Sequence, residues 1–251
     1  MVSVRFAAIG DSFTEGVGDE LPDGRVRGWA DIVAQGWADA AGHPIQYANL
    51  AIRGRLAWPI VEQQLEPALA LRPTHLSFNG GGNDMLRPNA DIEHIADAFS
   101  RVMRRCDEEG VQLIVLSGAN PSGRLPMGRM VQRRGDELSA AVLRRIEKRP
   151  GVIRALNWPD AELSRPQYWS DDRLHMNANG HHRVAARVLH ALGYEPPEHW
   201  WAPAEHPVAG PGGLAYYRDH VGPWIRRRVT RTSSGDGRTA KYAAWSERVP
   251  Q

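Results

Sequence analysis

Strand-like and helix-like segments alternate along this chain from its first residues to about Leu192, and this alternation constrains the fold more than any other feature. Each strand-like run is short and rich in β-branched or apolar residues. Each segment between two such runs has the longer apolar spacing of an amphipathic helix. Such alternation favours a parallel sheet whose two faces are covered by helices. We therefore expect a three-layer α/β/α sandwich.

Five strands and five helices are predicted within this alternating part. The predicted strands cover residues 2–9, 45–50, 74–78, 111–116 and 152–156. The predicted helices cover residues 28–41, 59–71, 91–109, 127–149 and 178–192. In the third helix, Asn89 is the candidate N-cap and Gly110 follows the expected end. We expect one five-stranded parallel sheet with the flavodoxin-like order 2-1-3-4-5.

The composition changes after Gly193, where Pro, Gly, Trp and Arg become frequent. This change predicts one domain over residues 1–193 and a C-terminal extension over residues 194–251. Trp200 and Trp201 are expected to anchor the extension, and residues 214–228 have the pattern of a short docked helix. The remainder of the extension has the composition of a flexible segment.

Composition excludes several classes of function. The only cysteine, Cys106, excludes an internal disulfide and a cysteine-based zinc cage, and its helical spacing predicts a place in the core. A net charge of +2 gives no domain-wide footprint for nucleic acid. The sequence contains no apolar run long enough to predict a membrane span, and the N-terminus lacks the pattern of a signal peptide, so we expect a cytoplasmic protein. We also expect no bound cofactor or metal.

Polar and glycine residues follow four of the predicted strands, at the edge where open parallel α/β sheets bind their ligands. Together they supply a hydroxyl, an imidazole, carboxylates and N–H donors, which are the groups that acyl transfer needs. The residues are Gly10-Asp11-Ser12 after the first strand, Asn49 and Gly54 after the second, Gly80-Gly81-Gly82-Asn83-Asp84 after the third, and Ser170-Asp171-Asp172-Arg173-Leu174-His175 after the fifth.

These residues resemble the four ordered blocks of the SGNH hydrolase family, also called GDSL-like lipases and esterases. The blocks are a GDS motif, a glycine, a GxND motif and a DxxH motif, and they stand here as Gly10-Asp11-Ser12, Gly54, Gly81-Gly82-Asn83-Asp84 and Asp172-Arg173-Leu174-His175. Phe13 stands where the family name has leucine. The resemblance covers residues 4–192 and implies the SGNH hydrolase fold.

The resemblance also implies a role for each matching residue. Ser12 would be the nucleophile, His175 the general base and then acid, and Asp172 the carboxylate that orients the histidine. The oxyanion hole would consist of the N–H groups of Ser12 and Gly54 and the side-chain amide of Asn83. The implied reaction is hydrolysis of a small-molecule carboxylic ester through an acyl-enzyme, without cofactor or metal.

Other functions remain open at this point. The same site would serve an acyltransferase or a carbohydrate deacetylase, and the scaffold would also serve a non-catalytic binding module. Gly80-Gly81-Gly82 lacks the spacing of a phosphate-binding loop. His181 and His182 are expected to be solvated helix residues rather than metal ligands. Asp11 and Asp84 are expected to hold loops in place.

Overall fold

A mixed six-stranded sheet forms the centre of the computed structural model, which describes residues 3–125, 127–202, 218, 222 and 233–251. The strand order is β5-β4-β3-β1-β2-β6, and the first five strands are parallel. The predicted order 2-1-3-4-5 is therefore confirmed. The strands are β1 (Arg5–Ile9), β2 (Ile45–Asn49), β3 (His75–Phe78), β4 (Gln112–Ser117), β5 (Ile153–Leu156) and β6 (Tyr242–Arg248).

The sixth strand corrects the prediction of a five-stranded sheet. β6 runs antiparallel to β2 and pairs Glu247 with Gln46 and Tyr242 with Asn49. It comes from the part of the C-terminal extension for which the composition predicted no regular structure. The pairing joins residues about 200 positions apart, and such a contact leaves no local pattern in the sequence.

The five predicted helices are all present, together with short additional ones. A π-helical turn, Val61–Leu65, divides the second predicted helix into two short α-helices. The α-helices are α1 (Ser12–Glu15), α2 (Trp29–Ala41), α3 (Ala57–Ile60), α4 (Glu66–Ala70), α5 (Gly82–Met85), α6 (Ile92–Glu109), α7 (Gly128–Ile146) and α8 (Ala178–Ala191). The prediction that Asn89 caps α6 was wrong. The N-cap is Asp91, whose side chain accepts the His94 N–H at 3.0 Å.

Helices cover both faces of the sheet, as the three-layer prediction requires. Successive residues of β1 point to opposite faces, so Phe6 belongs to the core that includes α2 and α8, while Ile9 belongs to the core that includes α6 and α7. Cys106 is buried in the second of these cores, as expected. Every parallel strand therefore ends at one edge of the sheet between two apolar layers.

The beginning of the C-terminal extension packs on the first of these cores. Trp200 is buried, and a Cβ added to Gly36 in α2 would lie 2.5 Å from its ring, so the predicted anchoring role is confirmed. The helix expected at residues 214–228 lies outside the described residues except for Arg218 and Gly222. The domain boundary at residue 193 stays a prediction.

Candidate active site

Ser12 is the first residue of the one-turn helix α1, directly beyond the carboxyl end of β1. The Asp11 side chain caps this helix by accepting the Phe13 N–H at 3.1 Å. Gly16 ends the helix with a φ of +103°, a conformation that glycine adopts without strain. This short turn places the Ser12 hydroxyl on the sheet edge rather than in the core.

His175 and Asp172 lie in the loop that leads from β5 to α8. Nε2 of His175 is 3.0 Å from the Ser12 Oγ, and its Nδ1 is 2.5 Å from Oδ2 of Asp172. Because the carboxylate requires an N–H at Nδ1, the Nε2 lone pair is directed at the Ser12 hydroxyl. The structure thus brings together three side chains that are up to 163 residues apart in sequence.

A tight turn holds Asp172 beside the histidine. Oδ1 of Asp172 accepts the backbone N–H groups of Leu174 and His175, both at 2.9 Å, and Arg173 between them has a φ of +60°. Burial alone would raise the pKa of Asp172, but its hydrogen bonds and the nearby His175 hold that pKa well below its usual range. Asp171, by contrast, is exposed.

Asn83 faces the loop that carries Ser12. It lies in α5, and its side-chain amide donates to Oδ2 of Asp11 at 3.2 Å and to the backbone carbonyl of Arg55 at 3.0 Å. Ser12, Asn83 and His175 line one cavity. Gly54, the remaining residue of the predicted site, is not among the cavity-lining residues and lies next to Arg55 with a φ of +76°.

Asp11 and Asp84 hold loops in place, as predicted. Asp84 accepts the Ala57 N–H at 3.0 Å and so joins α5 to the start of α3. Besides capping α1, the Asp11 carboxylate accepts the hydrogen bond from the Asn83 amide. Burial raises the pKa of Asp11 to about 6, although the hydrogen bond from Phe13 opposes this rise. An ionised Asp11 therefore destabilises the fold while it supports the Ser12 loop.

The cavity beside Ser12 has a volume of about 120 Å³ and mostly apolar walls. The loops of residues 118–129 and 158–169 contribute Pro121, Trp158 and Trp169 to its lining. The contribution of α7, through Leu138 and Val142, was missed. These residues follow the ordinary apolar spacing of a core-facing helix, so no local signal distinguishes them from core residues.

The expectation for His181 was wrong, because this residue is fully buried rather than solvated. Its Nδ1 accepts the Trp29 N–H at 3.1 Å, and its Nε2 lies 3.2 Å from the Val17 carbonyl. Burial lowers the pKa of His181 to about 4, so the ring is neutral at pH 7. Within the described ranges, no group of three or more His, Cys, Asp or Glu side chains has the arrangement of a metal site.

The chain matches a family model over residues 8–183, which include Ser12, Gly54, Asn83, Asp172 and His175. The model describes the GDSL-like lipase/acylhydrolase family. The chain belongs to this family. Membership confirms the expected class of enzyme, a carboxylic ester hydrolase, and agrees with the SGNH hydrolase fold. None of the helices in the described ranges is long and apolar enough to cross a membrane.

Solved structures share the fold of this GDSL-like protein. The lipase/acylhydrolase from Enterococcus faecalis matches with a TM-score of 0.62 and 17% identity, over 78% of this chain and 99% of that one. The psychrotrophic esterase EstA from Pseudoalteromonas sp. matches with a TM-score of 0.60 and 15% identity, over 75% and 96%. The acetylxylan esterase Axe2 from Geobacillus stearothermophilus matches with a TM-score of 0.61 and 18% identity, over 81% and 99%. No curated protein matches the sequence.

Proposed function

We propose that this GDSL-like hydrolase cleaves carboxylic esters through an acyl-enzyme on Ser12, with His175 as base and acid and Asp172 as the orienting carboxylate. The observation that carries the proposal is the continuous contact from the Ser12 Oγ to His175 Nε2 and from His175 Nδ1 to Asp172. A nucleophile, a base within hydrogen-bond reach and a third group that orients the base together activate a hydroxyl.

The reaction follows from this order of groups. His175 Nε2 takes the Ser12 proton while Oγ forms a bond to the ester carbonyl carbon, and the carbonyl electron pair moves onto oxygen. When the tetrahedral intermediate collapses, the bond to the alcohol oxygen breaks and His175 returns the proton to the departing alcohol. Water then attacks the acyl-serine with His175 again as base, which releases the carboxylic acid and restores Ser12.

The negative oxygen of the intermediate would be bound by the N–H groups of Ser12 and Gly54 and by the Asn83 amide. Asn83 adds a donor without adding a positive charge that would retain the carboxylate product. Its bond to Asp11, at 3.2 Å, is longer than its bond to Arg55, at 3.0 Å. We expect the substrate oxygen to share the N–H that now points to Asp11.

Matched structures support the same residue types. Three of them are catalytic mutants of Axe2 in which a serine, an aspartate or a histidine is replaced by alanine, and the aspartate precedes the histidine by three positions. Asp172 and His175 have this separation. The apolar walls of the cavity favour an uncharged, apolar acyl group.

A fluorophosphonate label tests the proposal, because it reacts with an activated serine. We expect one label per chain on the native protein and none on Ser12→Ala, with Ser164→Ala as a control that keeps the label, because Ser164 is exposed. Hydrolysis of p-nitrophenyl esters should fall in Ser12→Ala by several powers of ten. If the purified variant retains more than a few per cent of kcat, the assignment of Ser12 is wrong.

Acetylated sugars and added alcohols, tested in the same panel, separate deacetylation and acyl transfer from simple ester hydrolysis.

A further inference from the structure

We propose that the C-terminal segment 233–251 positions the turn that contains Gly54, and that Lys241 is its principal positioning residue. This inference rests on the proposed function, in which the Gly54 N–H binds the oxyanion. We call residues 52–55 the Gly54 turn and residues 233–251 the tail segment. The matched family region ends at residue 183, so the tail segment lies outside it.

Lys241 joins the tail segment to the helix that begins with Ser12. Its Nζ donates to the backbone carbonyls of Glu15 at 2.8 Å and Arg27 at 2.6 Å, and it also forms an ion pair with Asp31. The side chain is only 14% exposed. Hydrogen bonds from a charged donor are stronger than those between neutral groups, and carbonyls at the end of a short helix need such donors. Lys241 thus fixes the C-terminal end of α1.

Glu15 connects the same helix to the Gly54 turn. Its carboxylate accepts the Arg53 backbone N–H at 2.6 Å and the Arg53 Nε at 2.8 Å, and the two side chains are 10% and 18% exposed. The backbone bond fixes the peptide between Ile52 and Arg53, which precedes the peptide that carries the Gly54 N–H. A shift of α1 would therefore move the Gly54 turn with it.

The tail segment also touches the Gly54 turn directly. A Cβ added to Gly54 would lie 2.4 Å from the Ser233 Oγ, and one added to Gly235 would lie 2.1 Å from the Arg53 carbonyl. Contacts this short leave no space for a side chain at either position, so Gly54 packs against the Ser233 side chain and Gly235 packs against the Arg53 backbone. The Asp236 carboxylate holds the tail turn by accepting the Ser233 N–H at 2.7 Å. The tail segment therefore acts on the turn through two independent contacts.

The chemistry of Lys241 favours a positioning role over a purely stabilising one. Burial lowers the pKa of Lys241, so placing the ammonium here costs free energy. A buried ion pair is often replaceable by apolar residues without loss of stability. An apolar residue at position 241 would not replace the hydrogen bonds that Lys241 donates to α1 and to the carbonyl of Arg27. Precise placement of an oxyanion donor needs support of this kind.

The test compares Lys241→Met with Arg248→Met in the full chain. Arg248 is the matched control because it lies at the far end of β6, also faces Asp31 at 3.8 Å, and stacks on the rings of Tyr47 and Tyr242. Active sites are counted by fluorophosphonate titration of a separate sample, so that kcat is calculated per reactive serine rather than per total protein. On p-nitrophenyl acetate we expect Lys241→Met to lower kcat by about 10- to 100-fold with KM within about threefold, because an oxyanion donor acts mainly in the transition state.

We expect Arg248→Met to keep kcat within about twofold, because a packing change at the far end of β6 does not alter a transition-state contact. Lys241→Arg should recover part of the loss, because arginine keeps a charged hydrogen-bond donor at this position. Equal kcat values for Lys241→Met and Arg248→Met would overturn the proposal. If Lys241→Met does not fold, Asp236→Ala decides, because this exposed change loosens only the tail turn. An unchanged kcat in that variant would overturn the proposal, and a reduced kcat at constant KM would support it. Loss of activity in Ser12→Ala with full activity in these variants would reject the tail proposal alone.

Discussion

The Asn83 amide donates to the Asp11 carboxylate across the loop that carries Ser12, with 3.2 Å between Nδ2 and Oδ2. Asp11 therefore orients a donor of the proposed oxyanion hole and also caps the helix that begins with the nucleophile. Burial raises its pKa to about 6, so the ionised carboxylate is held in a place that disfavours its charge. The relationship predicts opposite effects on stability and on activity.

Asp11→Asn should stabilise the protein and impair it as an enzyme. A carboxyl whose pKa is higher in the folded state contributes stability below its unfolded pKa, and this stability is lost as the pH rises through about 6. We expect the variant to gain about 1–3 kcal/mol in free energy of unfolding at pH 8 relative to pH 4. Its kcat should fall by about tenfold or more because the Asn83 amide loses its carboxylate partner. Urea unfolding at both pH values and ester kinetics check this. A gain of equal size at both pH values would contradict the assigned pKa.

Asp172→Asn should damage the enzyme far more than Asp171→Asn. Asp172 contacts His175 Nδ1 at 2.5 Å, whereas Asp171 is exposed. An amide at position 172 would favour the wrong histidine tautomer, so kcat/KM should fall by up to about ten-thousandfold. The Asp171 variant should remain within about twofold of the native enzyme, as surface substitutions usually do. Both variants are measured on one activated ester, and greater damage at Asp171 would show that the triad contains the other aspartate.

Asn83→Ala should lower kcat by about a hundred- to a thousandfold with a small change in KM, because an oxyanion donor gains strength as charge develops. Asn89→Ala is the matched control, since Asn89 is exposed. Steady-state kinetics on a p-nitrophenyl ester separate the two parameters. An effect confined to KM would mean that Asn83 binds the ground-state ester instead.

His181→Gln should remove part of the acid sensitivity of the fold. A buried histidine with a pKa of about 4 contributes its full stability above the unfolded value of about 6.5 and loses it as the pH falls toward 4. The loss amounts to up to about 3 kcal/mol. Glutamine retains an acceptor for Trp29 and a donor for Val17 but does not titrate. The difference between the unfolding free energies at pH 7 and pH 4.5 should be smaller in this variant than in the native protein. It should be unchanged in the control His190→Gln, because His190 is exposed. Identical pH dependence in both variants would exclude His181 as the source.

The sequence alone determined the five strands, the main helices and the residue types of the candidate site. These features have local signals: short apolar runs form strands, and glycine and polar residues follow them where the chain turns. Asp172 and His175 are three residues apart, so one turn brings them together, and their contact is open to prediction from spacing. The family motifs added the expected role of each residue.

Only the tertiary structure decided which distant groups meet. The contact of Ser12 with His175 spans 163 residues, and the pairing of β6 with β2 spans about 200. The burial of His181 depends on Trp29 and Val17 from the other end of the chain. Local spacing sets the conformation of a segment, but contacts across the sheet depend on how whole layers pack. For that reason no sequence pattern predicts that Lys241 contacts α1. This contact depends on the pairing of the tail segment with the edge of the sheet.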